Sequence, residues 1–126
     1  MDKPSALIVE DDALLCTVIE ADLEDSGFGV TIARSGAQAL AQLQNGADGF
    51  ACLVTDIRLG PGIDGWEVAR QARLLKPTIP VIYMTGDSAA NWAAQGVPNS
   101  ILLGKPFALS QLRTAIAQLI NNGPVD

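Results

Sequence analysis

Five short apolar runs recur along the chain: ALIV (6–9), GVTIA (29–33), ACLVT (51–55), VIYM (81–84) and SILL (100–103). Each has the length of a buried strand, and between them the apolar residues keep a helical period. Leu15, Val18, Ile19 and Leu23 mark a helix over 12–26 that stops at Gly27. Ser35 can cap a second helix, which carries Leu40 and Leu43 and ends near Gly46. Asp64 can cap a third with Val68, Ala72 and Leu75, and Pro77 prevents its continuation. The stretch DSAANWAAQG supports only a short fourth helix, whereas Leu109, Leu112, Ile116, Leu119 and Ile120 define an amphipathic fifth over 108–121. Strand–helix alternation of this kind predicts an α/β fold, a parallel sheet with right-handed crossovers and helices on both faces. The second run is the least uniformly apolar, so it is expected at a sheet edge. Ligands of such folds bind beyond the carboxyl ends of the strands, where the strand order reverses.

At 126 residues the chain suits one domain over 1–126, with a core of about 5–122. That length buries a core without metal or disulfide staples. Cys16 and Cys52 sit in apolar stretches and read as reduced core residues. The formal charge is −6 and Lys and Arg form no cluster, so direct nucleic-acid binding is not expected. The apolar run before the acids at 10–12 is too short for a signal peptide or a membrane span, which points to the cytoplasm and no membrane partner. The chain has no histidine, so any histidine chemistry must come from a partner.

The polar residues just past the strands carry the functional reading. Glu10, Asp11 and Asp12 succeed the first run, Asp56 the third, Thr85 and Gly86 the fourth, and Gly104, Lys105 and Pro106 the fifth. Singly, each is an ordinary cap, turn or loop. In a parallel sheet, however, these ends share one edge, so carboxylates, a hydroxyl and an ammonium converge in one shallow cleft. Clustered carboxylates repel unless a cation lies between them, and a hard divalent ion such as Mg²⁺ fits oxygen ligands. A carboxylate facing outward can act as a nucleophile toward phosphorus. The ammonium and the hydroxyl can then meet the charge of the phosphoryl group.

The motifs VEDD (9–12), TD (55–56) with PGIDG (61–65), MTG (84–86) and GKPF (104–107) together resemble the receiver domain of two-component response regulators. The resemblance spans roughly 5–122 and implies a flavodoxin-like (βα)5 fold with strand order 2-1-3-4-5. It implies that Asp56 is the phosphoacceptor, Thr85 the switch hydroxyl and Lys105 the phosphate contact. It assigns Mg²⁺ to Asp11, Asp12, Asp56 and the backbone carbonyl of Arg58. It further implies a cis Lys105–Pro106 bond. The phosphoryl donor would be a histidine kinase or a histidine phosphotransfer protein, with docking on the exposed start of the first helix at Ala13, Leu14 and Thr17. A downstream protein would read the result, and the family also allows a homodimer. Such a protein phosphorylates and dephosphorylates itself and turns over no separate substrate. Since no output domain follows residue 126, a stand-alone receiver is expected.

The sequence also departs from the family pattern. Leu102 stands where a Tyr or Phe often precedes the lysine, which puts the usual threonine–aromatic coupling in question; Phe107 and Trp92 are the nearest substitutes. The short fourth helix implies a different output face. The loop after Asp56 carries one residue more than the usual spacing, around Gly60. Arg58 and Asp87 lie two residues past Asp56 and Thr85 and can bridge over the site. Two other classes are weaker fits. An aspartyl-nucleophile phosphatase of the haloacid-dehalogenase kind needs a general acid where Arg58 stands, and a phosphorylation-independent interaction module has no use for an intact acidic site.

Overall fold

The computed structural model describes residues 3–121, so the expected core of 5–122 ends one residue outside the described part. Five parallel strands form one sheet: β1 (Ser5–Val9), β2 (Gly29–Ala33), β3 (Cys52–Asp56), β4 (Val81–Thr85) and β5 (Ser100–Gly104). Their order is β2-β1-β3-β4-β5, which places β2 at an edge as its polar content predicts. The connecting helices are α1 (Ala13–Asp25), α2 (Gly36–Gly46), α3 (Gly65–Leu75), α4 (Trp92–Gln95) and α5 (Leu109–Asn121). This is the doubly wound architecture expected from the alternation, with the flavodoxin-like strand order that the resemblance implies.

Side chains alternate across each strand, so the sheet feeds two cores. Leu7, Leu53 and Tyr83 face one side with Leu43, Val68 and Ala72 of α2 and α3. Ile8, Val54 and Ile82 face the other with Ile19 and Leu23 of α1 and Leu112 and Ile116 of α5. Burying each such aliphatic side chain stabilises the fold by about 1.5–3 kcal/mol. The expected helix caps form: Asp64 Oδ1 accepts from Glu67 N–H at 3.0 Å, and Ser35 Oγ accepts from Gln38 N–H at 3.1 Å.

Two local details differ from expectation, and the short fourth helix and the reduced cysteines follow it. Asp56 is the last residue of β3, paired with Met84, and does not start the loop. Val18 and Leu75 lie outside the core, because α1 buries Cys16, Ile19 and Leu23 while α3 buries Trp66, Val68, Ala69 and Ala72. The fourth helix is a single turn, preceded by a 3-10 turn over Ala89–Asn91 and ended by Gly96 and Pro98. Cys16 and Cys52 are both free and buried.

Candidate functional site

The registers bring the strand ends together. Val9 pairs with Ala33 and with Thr55, Asp56 with Met84, and Thr85 with Gly104. The residues at or just past these positions therefore line one edge of the sheet. Lys105 N–H donates to Thr85 O at 2.7 Å, and Ile57 N–H to Met84 O at 3.1 Å, so the loops leave the sheet in fixed directions. The Lys105–Pro106 bond is cis.

Asp56 is held from behind by glycine. A Cβ on Gly65 would lie 2.1 Å from the Asp56 carbonyl oxygen, so the start of α3 can approach β3 this closely only without a side chain. Gly65 N–H donates to Ile57 O at 2.8 Å and fixes that approach. The loop between them turns through Gly60 (φ 82°) and Gly62 (φ 98°), conformations that favour glycine.

Carboxylate oxygens of Glu10, Asp11 and Asp56 lie within 4.8 Å of one another. Lys105 Nζ reaches two of them, at 2.7 Å from Glu10 Oε1 and 3.2 Å from Asp56 Oδ2. Three acids face one ammonium, and both members of the Glu10–Lys105 pair depart from their ordinary titration. Burial pushes Glu10 up, and the hydrogen bonds from Lys105 and from Asp12 N–H only partly offset it. Burial alone would lower Lys105, but the bond to Glu10 and the charges of Glu10 and Asp56 outweigh it and raise the lysine. The donor set is all oxygen, anionic overall and open to solvent through Asp11, which fits a hard divalent cation such as Mg²⁺.

Asp12 does not join this cluster. Its Oδ1 accepts from Leu14 N–H at 3.0 Å and Leu15 N–H at 3.2 Å, capping α1. The expected acid pair, Asp11 with Asp12, is thus displaced by one: Glu10 takes the buried place. The reason is the helix boundary. The resemblance implies a metal role for Asp12, but the helix begins at Ala13 and claims Asp12 as its cap. The capping preference for aspartate directly before a helix is the signal that separates the two.

Thr85 Oγ1 is buried and accepts from Asp87 N–H at 3.2 Å and Ser88 N–H at 2.7 Å, so the hydroxyl organises the loop after β4. Arg58 and Asp87 do pair, Nε to Oδ1 at 2.8 Å, and so link the loops after β3 and β4. That hydrogen bond from Arg58 holds the Asp87 carboxyl below its ordinary value. Leu102 is half-buried against the core. Trp92 Nε1 donates to Ser100 Oγ at 3.0 Å, and Phe107 packs against the core on the α1 and α5 side of the sheet. The aromatic of β4 is Tyr83, one side-chain repeat before Thr85. Its ring lies 4.7 Å from that of Trp66, and its hydroxyl accepts from Val97 N–H at 3.1 Å. The period-2 alternation of β4 carries that information, but the run VIYM reads as uniform core.

Comparison with known proteins places this arrangement. The family model described as "Response regulator receiver domain" matches residues 6–117. A response regulator receiver protein from Sinorhizobium medicae shares 45% identity, with a TM-score of 0.92 over 96% of this chain and 97% of its own. The receiver domain of the sensor histidine kinase PA1611 from Pseudomonas aeruginosa, a structure with a magnesium ion coordinated in its active-site cleft, shares 28% identity. Its TM-score is 0.82 over 96% of this chain and all of its own (100%). The transcriptional regulatory protein ZraR of Escherichia coli is 31% identical over 94% of this chain; the match spans 27% of ZraR's own length.

Proposed function

Given that the chain belongs to the response regulator receiver domain family, we propose that it is a phosphoacceptor in a two-component or phosphorelay system. The observation that carries this reading is the contact of Lys105 Nζ with both Asp56 and Glu10, beside the Asp11 carboxylate. Asp56 is the nucleophile: a carboxylate oxygen bonds to phosphorus as the N–P bond of a partner's phosphohistidine breaks, and the imidazole leaves. Lys105 then exchanges its Asp56 contact for a phosphoryl oxygen and keeps Glu10 as its counter-charge. The Thr85 hydroxyl turns from the Asp87 and Ser88 amides toward another phosphoryl oxygen, which releases the loop before α4. Glu10, Asp11, Asp56 and the Arg58 carbonyl would hold Mg²⁺. When bound, Mg²⁺ neutralises part of the charge that builds on the phosphoryl oxygens.

A donor can dock beside the site. Leu14 is 74% exposed, and with Leu15, Val18, Pro106 and Phe107 it forms an apolar groove that ends at Asp12 and Lys105. The donor is a histidine kinase or a histidine phosphotransfer protein, and a protein partner reads the phosphorylated state. Exchange with such a donor places the protein in the cytoplasm. No described helix is long and apolar enough to cross a membrane.

The test is addition of acetyl phosphate or beryllofluoride with Mg²⁺ while amide shifts are followed. Shifts that converge on Asp56, Thr85 and Lys105 and vanish in Asp56→Asn are expected. Absence of any Mg²⁺-dependent change at Asp56 would sink the proposal.

A further inference from the structure

We propose that Arg34 is a positioning residue that keeps Asp11 in the carboxylate cluster, an inference that rests on the receiver reading above. β1 and β2 pair in register up to Val9 and Ala33. One residue later Glu10 N–H still donates to Ala33 O, at 3.0 Å. Beyond that point the backbones part as β1 turns into α1. There Arg34 Nη2 donates to the Asp11 backbone carbonyl at 2.6 Å. The side chain thus extends the β1–β2 connection by one more rung.

Asp11 needs such a tether. It is the exposed member of the three gathered acids, while Glu10 and Asp56 are buried. Like charges at this separation repel, and the residue free to move outward is the one in the loop. No other hydrogen bond to the Asp11 backbone occurs among the described residues. A bond from a guanidinium to a carbonyl is charge-assisted and correspondingly firm. Arg34 also leaves the Asp11 carboxylate available, because among the described residues it forms no ion pair within 4.0 Å. Its own backbone is braced: Arg34 N–H donates to Gln38 Oε1 at 2.7 Å, and Gln38 N–H donates to the Ser35 cap at 3.1 Å.

Positioning and simple charge predict opposite signs for Mg²⁺ affinity. If Arg34 acted only as a nearby positive charge, its removal would tighten Mg²⁺ binding. If it holds Asp11 in place, removal loosens it. The experiment is a calorimetric Mg²⁺ titration of the unphosphorylated chain as wild type, Arg34→Ala and Arg34→Lys, with metal-free melting measured alongside. The expected result is roughly fivefold to tenfold weaker binding in Arg34→Ala. Arg34→Lys, which keeps a cationic donor, should recover most of the loss. Arg34→Met, which keeps the apolar stem, takes the place of alanine if the latter lowers the metal-free midpoint. Tighter or unchanged Mg²⁺ binding in the variant overturns the proposal. A wild type that binds no Mg²⁺ overturns the receiver reading itself, which separates the two failures.

Discussion

Arg58 donates from Nε to Asp87 Oδ1 at 2.8 Å, a bridge between the loops that follow β3 and β4, the strands ending in Asp56 and Thr85. Both side chains are largely exposed, 73% and 57%, so the bridge adds little to folding. Its position suits control of water at Asp56. Arg58→Ala should shorten the life of a phosphoryl group on Asp56 severalfold and leave the melting temperature unmoved. Dephosphorylation after acetyl phosphate loading, followed by loss of label, measures this; an unchanged rate would reject the role.

Gly65→Ala should damage both fold and site. The added carbon would lie 2.1 Å from Asp56 O and 2.8 Å from Ile57 Cα, and backbone atoms cannot yield cheaply. A loss of about 1–3 kcal/mol in urea unfolding is expected, with weaker beryllofluoride binding as Asp56 is displaced. Gly86→Ala is the control, since a Cβ there meets nothing within 4 Å.

Tyr83→Phe removes the acceptor of the buried Val97 N–H and leaves the Trp66 contact in place. An unpartnered buried amide costs about 1–3 kcal/mol. Hydrogen exchange at the Val97 amide should accelerate well beyond that of its neighbours. Equal protection in wild type and variant would mean that the hydroxyl does not hold the segment between α4 and β5.

Cys52 gives a pH signature. Burial in β3 pushes its thiol from 9.0 up to about 12, with Lys76 offsetting little. The folded value lies above the unfolded one, so the associated stability is whole below pH 9.0 and drains away as the pH rises toward about 12. The unfolded chain releases the thiol proton first. Unfolding free energies measured across this window should fall less steeply in Cys52→Ala than in wild type. Parallel slopes would contradict the assignment.

Much of the site is legible in the sequence. Asp56, Thr85 and Lys105 each terminate or follow an apolar run, and a parallel sheet must carry such ends to one edge. The short α4 follows from Gly96 and Pro98, and the Arg58–Asp87 bridge from opposite charges at matching offsets. Local rules misplace whatever depends on a single residue of register. The resemblance, read one position late in VEDD, sets Asp12 among the metal ligands and leaves Glu10 out, whereas Glu10, Asp11 and Asp56 are the acids that gather.

By itself, then, the sequence determined the layers, the place of β2 at an edge and the side of the sheet where the chemistry gathers, because apolar periodicity and chain connectivity are properties of neighbours along the chain; the full strand order came from the family resemblance of its motifs. Only the tertiary structure decided which acids converge, that Lys105 rests between Glu10 and Asp56, that Tyr83 joins Trp66 and the Val97 amide, and that Arg34 grips Asp11. Those relationships join residues as far apart as 10 and 105. Their energies depend on distance and burial in the folded chain, quantities that no local pattern encodes.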